Sequence, residues 1–223
     1  MPRSQDSTRR HDLDLLEAWR AGDLNAGETL FERHFEAVYR FFCNKVPRDV
    51  DDLVQETFLG CVSAKDRFRQ DASFRTFLFA IARKVLLKHR QRWQPKDRGE
   101  TFHTSRIAGL DTSPTQLIID SQEQALLLRA LRRLPLELQI ALELFYWEGL
   151  PSKELAPILD LPHGTVRSRL RRGREKLRAI VEELSCRPDL RDSTLGDFEG
   201  WLESIQGKRV HGPQPRISEP SNS

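Results

Sequence analysis

The residues best equipped for chemistry in this sequence are cationic and crowd onto one short stretch. From Arg167 to Arg178, seven Lys or Arg face the single acid Glu175. Guanidinium groups bond phosphate oxygens and guanine edges bidentately, so a helix with such a face suits a DNA major groove. A charge run alone is also what an ordinary solvated helix shows, and the residues in front of it separate the two readings. Leu155, Ala156, Ile158 and Leu159 form a short apolar-periodic segment, Leu161-Pro162-His163-Gly164 breaks it, and Val166, Leu170, Gly173 and Leu177 then recur at i, i+4, i+7 and i+11. At about 100° per residue these four make one narrow inward stripe. Ser168, Arg171 and Arg172 then point outward, with Arg167 and Arg174 on one shoulder and Arg169 and Lys176 on the other. Segment, break and segment form the pattern of a helix-turn-helix, and with that turn in front the arginine face reads as DNA-binding.

A second cationic region runs from Ala64 to Arg92, with nine Lys or Arg against Asp66 and Asp71. Within it Phe74, Phe77, Leu78, Ile81 and Val85 form a helical apolar stripe, and Phe77, Lys84 and Lys88 line one edge at i, i+7 and i+11. Rings beside ammonium groups suit single-stranded nucleic acid, whose bases stack while cations hold the backbone. Phe74 and Phe77 fit a helical core at least as readily. A third group is acidic: Asp52, Gln55 and Glu56, following Asp51, share one helical face. Metal-dependent cleavage of nucleic acid needs carboxylates converging on a shared ion, and these lie on one helix without a distant acidic partner motif. Acids in a first turn are also favoured by the helix macrodipole. No catalytic residue, metal or cofactor is expected.

The elements that must carry these groups are helical throughout. Asp12 to Ala21 and Ala26 to Cys43 are periodic, the latter through Leu30, Phe31, His34, Phe35, Val38 and Phe42; Asp49 to Val62 turns Val54, Phe58 and Cys61 inward. From Trp93 to about Ile119 the pattern dissolves among Pro95, Gly99, Gly109 and Pro114, too long for a routine connection inside one domain. Ser121-x-x-Gln124 is a capping-box signature ahead of Leu127, Ala130, Leu131 and Leu134; a further helix over Leu136 to Trp147 turns Ile140, Ala141 and Leu144 inward. The expected organisation is a disordered 1–11, a first domain over 12–92, a linker over 93–119, a second domain over 120–185, and an extension over 186–223. That extension holds a short amphipathic helix over Thr194 to Ile205 and a Pro-rich disordered tail. Of 223 residues, 31% are charged and 38% hydrophobic, which is a globular composition, and no span reaches membrane length. Pro2 to Leu16 is too polar for a signal, so the cytoplasm is the expected compartment. Cys43, Cys61 and Cys186 lie far apart and read as buried or incidental thiols. The net charge is only +3, so the basic character is local, and it occurs twice.

Three segments in this order, D-D-L-V-Q-E-T-F-L (51–59), F-R-T-F-L-F-A-I-A-R-K (74–84) and G-T-V-R-S-R-L-R-R-G-R-E-K-L-R (164–178), resemble a bacterial RNA polymerase sigma factor of the extracytoplasmic-function class, over about Asp12 to Leu184. The resemblance implies an all-α fold of two small helical domains, sigma-2-like and sigma-4-like, on a flexible linker. It implies a non-enzymatic protein that binds core RNA polymerase, recognises the −35 and −10 promoter elements and promotes melting. Asp51, Asp52, Gln55, Glu56 and Phe58 match the segment that docks on the polymerase. Phe68, Arg75, Phe77, Arg83, Lys84 and Lys88 match the surface for the single-stranded −10 element. Thr165, Arg167, Ser168, Arg169, Arg171 and Arg172 match the surface for the duplex −35 element. An anti-sigma factor is a further partner that the resemblance allows, and a membrane is not. A helix-turn-helix regulator that does not bind core polymerase is the alternative.

The chain departs from that family pattern at four positions. Phe77 stands where Trp is usual, and Lys84 where Asn is frequent, replacing a donor and acceptor by a donor alone. Pro151 replaces a capping Ser or Thr, and Pro157 falls inside the first helix of the motif, where it removes a hydrogen bond and should kink it.

Overall fold

The spacing of apolar residues by three and four is realised as helix in every long segment. The computed structural model describes residues 3–68, 72–93, 122–184 and 200; among these there are eight α-helices, one 3-10 turn and no strand. The helices are α1 (Arg3–Arg20), α2 (Leu24–Cys43), α3 (Val50–Ala64), α4 (Phe74–Trp93), α5 (Gln122–Arg132), α6 (Leu136–Tyr146), α7 (Ser152–Leu159) and α8 (His163–Leu184), with the 3-10 turn over Lys65–Arg67. Most of the 93–119 stretch, Ser121 and the segment Thr194 to Ile205, apart from Gly200, lie outside the described residues.

The first helix begins earlier than its composition suggested. Residues 3–11, expected to be disordered, already belong to α1. Ser7, Thr8, Arg10 and His11 stay exposed, which is why the stretch reads as polar and unfolded. The helix is anchored further along, where buried Asp12 accepts from Arg33 Nη1 at 2.5 Å and meets His34 Nε2 at 2.9 Å, and where Leu16 and Trp19 are buried. Burial alone would push the Asp12 carboxyl up, but His34 and Arg33 together hold it below its ordinary 3.8. Asp23 caps α2 by accepting from the backbone N–H groups of Asn25 and Ala26. A Cβ at Gly27 would meet the Trp19 ring at 2.6 Å, so this glycine lets the indole lie directly on the backbone of α2. Leu30, His34, Val38 and Phe42 are buried as the spacing predicts, while half-buried Phe31 and Phe35 pair with Phe58 of α3.

In the C-terminal half α6 is enclosed: nine of its residues are buried, Glu137 and Glu143 among them. Helix α8 buries Val166, Leu170, Gly173, Leu177 and Val181, the stripe read from the sequence extended by one step. A Cβ at Gly173 would come within 3.1 Å of Leu142, so the glycine sets the close approach of α8 to α6. The break between α7 and α8 is shorter than expected, because His163 and Gly164 already belong to the first turn of α8. Asp160, left-handed at φ 56°, ends α7, and its N–H and that of Leu161 both return to the Ala156 carbonyl. Pro157 does not interrupt α7, which continues past it to Leu159. Pro151 caps by its backbone, its carbonyl accepting from Glu154 and Leu155 N–H.

The two halves close on each other. Helix α4 lies against α7, and the buried apolar side chains form one cluster from Leu16 to Val181. Burial pushes the thiols of Cys43 and Cys61 up to about 12, so both stay protonated and unreactive. No helix among the described residues is long and apolar enough to cross a membrane.

Candidate nucleic-acid interface

The buried stripe of α8 dictates what its opposite side shows. Thr165, Arg167, Ser168, Arg171 and Arg172 are exposed, and the Ser168 hydroxyl donates back to the Gly164 carbonyl at 3.2 Å. The angle at which α8 is presented is braced by His163, whose Nε2 lies 2.9 Å from Ser152 Oγ at the start of α7. Arg171 meets Glu175 one turn on at 3.3 Å, with both side chains more than half exposed. Arg169 differs: it is half-buried and donates to Glu137 Oε2 of α6 at 2.7 Å. Five residues with guanidinium or hydroxyl groups therefore lie on the exposed side of the helix, while Arg169 is turned back into the protein.

On α4 the cationic edge divides in a similar way, with the balance reversed. Lys84 is exposed, and Lys88 reaches Glu56 of α3 at 2.7 Å in an exposed pair. Arg75, by contrast, donates to Glu148 at 2.8 Å, and Arg83 to Glu137 at 3.1 Å. Phe68 packs on Phe77 with ring centroids 4.7 Å apart, both rings half-buried, so each keeps part of its surface open to a stacking base. The loop that carries Phe68 is held by Arg20, which donates from Nε to the Lys65 carbonyl at 2.9 Å and from Nη2 to the Phe68 carbonyl at 2.6 Å. Lys65 in turn donates to the Trp19 carbonyl. Arg20 and Lys65 thus position the loop, a role that local spacing did not reveal because their partners lie about 45 residues away.

The acidic face of α3 is turned to water: Asp51, Asp52 and Gln55 are exposed and Glu56 is partly so. Phe58 points the other way, into the stack with Phe31 and Phe35. Beside the acids lie two of the exposed large apolar residues of the described chain, Leu59 and Val62. An open groove of about 360 Å³ follows between α3 and α4, lined by Glu56, Leu59, Gly60, Ile81, Lys84 and Lys88 among others. The acids of α3 thus stand beside exposed leucine and valine. Among the described residues no group of three His, Cys, Asp or Glu is placed to hold a metal ion.

The residues that the sequence did not single out are those joining the halves. Arg40 of α2 bonds Glu148, while Asn44 and Lys45, just past the end of α2, both bond Glu143 of α6. Asn44 Oδ1 also accepts from Arg132 Nε of α5 at 2.9 Å, and Ser73 and Thr76 hydroxyls at the start of α4 both donate to Glu154 of α7 at 2.5 Å. One signal was present. Helix α6 is apolar on every side, so any Glu within it must be buried and needs a cation.

Comparison with known proteins agrees with this geometry. The family described as Sigma-70 region 2 matches residues 30–94, and that described as Sigma-70, region 4 matches residues 124–177. The chain is 32% identical over 182 residues to the ECF RNA polymerase sigma-E factor of Escherichia coli strain K12, covering 78% of this chain and 95% of that protein. It is 30% identical to the ECF RNA polymerase sigma-E factor of Haemophilus influenzae, covering 78% and 96% of the two chains. Among solved structures it is similar to CnrH in complex with the cytosolic domain of CnrY, with 26% identity, a TM-score of 0.59 and coverage of 78% and 99%. It shares its fold with the sigma factor RpoE of Bartonella quintana, solved with the anti-sigma factor NepR, at 20% identity, a TM-score of 0.52 and coverage of 71% and 98%.

Proposed function

As the chain belongs to the extracytoplasmic-function class of the sigma-70 family, and so serves core RNA polymerase as a non-enzymatic subunit that recognises promoters, we propose that its surfaces divide that task by the state of the DNA. The exposed face of α8, with Thr165, Arg167, Ser168, Arg171 and Arg172, reads the duplex −35 element, and Arg169 adds a phosphate contact. The edge of α4 with Phe68, Arg75, Phe77, Arg83, Lys84 and Lys88 holds the unpaired −10 strand. The observation that carries this division is the difference in shape between the two surfaces. A bare helix face bracketed by arginines fits a major groove, whereas partly open rings beside lysine fit single bases. Since only unpaired bases reach the rings, their capture favours the melted state of the promoter.

Asp51, Asp52, Gln55 and Glu56 dock on the polymerase, with the neighbouring Leu59 and Val62 supplying apolar area, while Phe58 acts from beneath by fixing α3. The unit over 12–92 would then bind core polymerase and the −10 element, and the unit over 120–185 the −35 element. Transcription in vitro with core polymerase, followed by start-site mapping, tests the whole reading. Defined starts preceded by a shared pair of elements are expected. Asp52→Arg combined with Glu56→Arg should abolish retention of core polymerase while leaving duplex binding intact. A chain that binds duplex DNA yet neither retains polymerase nor directs starts would instead be a conventional helix-turn-helix regulator.

A further inference from the structure

The ring of Phe68 is carried by a turn too weak to hold itself. The 3-10 turn over Lys65–Arg67 has three residues, none of them buried, and no side-chain cap. Its closing bond, from the Phe68 N–H to the Lys65 carbonyl, is long at 3.3 Å. A single 3-10 turn has poor hydrogen-bond geometry and does not by itself fix the direction of the residue that follows it. That residue is Phe68, whose ring packs 4.7 Å from that of Phe77.

The direction is fixed from α1. The guanidinium of Arg20, the last residue of that helix, spans the turn, with Nε donating to the Lys65 carbonyl at 2.9 Å and Nη2 to the Phe68 carbonyl at 2.6 Å. Its Cζ also lies 6.0 Å from the centre of the Phe68 ring. In return Lys65 Nζ donates to the Trp19 carbonyl at 3.1 Å and stands 4.8 Å from the centre of the Trp19 ring. The last carbonyls of a helix lack intrahelical partners and carry partial negative charge, so an ammonium suits this place. Trp19 fastens the end of α1 to α2: its indole lies where a Cβ on Gly27 would be, 2.6 Å from that position, and meets Phe31 edge-on at 5.2 Å. Arg20 and Lys65 thus grip each other's main chain. Every acceptor in this clasp is a backbone carbonyl, so it sets where Phe68 sits whatever side chains the turn carries.

We propose that the clasp is a working part of the strand-capturing surface: Arg20 sets the depth and tilt at which Phe68 meets an unpaired base, and thereby how tightly and how selectively that base is held. The proposal rests on the assignment of Phe68 to the −10 strand made above. Arg20 spends its fork on the protein and acts through Phe68, so it is a positioning residue. The planar fork matters because two carbonyls are held at once; a lysine supplies the charge but not the span. Core docking and duplex reading belong to α3 and α8, outside the clasp.

The test uses holoenzyme made from core polymerase and the full chain. A pool of single-stranded DNA of random sequence, cleared of strands that core polymerase retains alone, is selected on the holoenzyme and sequenced. Affinity for the selected strand is then followed by anisotropy. Arg20→Ala should weaken that affinity about tenfold, the usual loss for one stacked base, and flatten the base preference at one position. Phe68→Ala should flatten the same position. Adding Arg20→Ala to Phe68→Ala should change little further, because a residue that acts only through Phe68 then has nothing left to position. Core retention and duplex −35 binding by Arg20→Ala should stay within about twofold of the parent, as for distant independent sites. Arg20→Lys should not restore the preference. Unaltered affinity and preference in Arg20→Ala overturn the proposal. Additive losses in the double variant also overturn it, since Arg20 would then touch DNA itself. Equal losses of strand, core and duplex binding overturn it too, leaving Arg20 a residue of the fold alone. If Arg20→Ala does not fold, Arg20→Lys decides, and an unchanged preference there overturns the proposal. Phe68→Ala judges the underlying reading separately: unchanged affinity and preference in that variant remove Phe68 from the −10 surface, and the proposal falls with it.

Discussion

Helices α4 and α8 carry similar cationic runs and place them in opposite situations. On α8, Arg167, Arg171 and Arg172 stand in solvent, and the ion pair that Arg171 makes with Glu175 is 68% and 60% exposed at its two ends. On α4, Arg75 and Arg83 are 27% and 14% exposed and bonded to carboxylates that are nearly inaccessible. A count of lysines and arginines along a helix therefore measures the composition of its face and not its availability. Availability is set by acids 54 to 73 residues away in the chain.

The strongest way to break this contrast is to remove the acid on which two of the held arginines converge. Glu148→Ala takes the carboxylate from Arg40, 7% exposed, and from Arg75. Removing one partner of a buried ion pair costs about 3 to 5 kcal/mol, so urea unfolding should show a loss of that order. A loss below about 1 kcal/mol would show that Glu148 and its arginines are hydrated in solution, and α4 would then resemble α8.

The next effect is smaller and reads the free helix. Arg171→Ala should weaken binding of duplex promoter DNA by about 1 to 3 kcal/mol, the worth of one bidentate contact, and relax base preference in the −35 element. Anisotropy against a set of single-base variants measures both. Unchanged affinity and preference would remove Arg171 from the reading face, leaving α8 as little more than a source of general positive charge.

How far these surfaces could be read in advance follows from the range of the forces involved. The stripe Val166, Leu170, Gly173 and Leu177 was legible because burial of a helix face imposes a local period, and all four are buried. The exposed acids of α3 were legible for the same reason, since Val54 and Cys61 fix the inward side. The start of α1 was not, because Arg9 and Asp12 are anchored by Glu154 and by Arg33 with His34, partners outside any local window. Nor was the junction of Lys45 with Glu143, separated by 98 residues. At Pro157 the rule that proline removes a hydrogen bond holds, yet α7, a helix of 8 residues packed on α4 and α8, runs on past it to Leu159.

The smallest expected effect sharpens the contrast from the other side. Arg171 and Glu175 form an i, i+4 pair on the open face of α8, with the arginine preceding the acid, the less favourable order for the helix dipole. Water screens the pair and both side chains lose rotamer freedom in making it, so Glu175→Ala should change stability by no more than about 0.5 kcal/mol. It should also strengthen DNA binding slightly, because Glu175 is the sole acid among the cations from Arg167 to Arg178 and repels phosphate. That gain should fade as added salt shortens the range of the repulsion. Urea unfolding and a two-salt titration with duplex DNA check both parts. A destabilisation approaching that of Glu148→Ala would mean that the outer face of α8 is held as firmly as that of α4, and that the two helices do not differ after all.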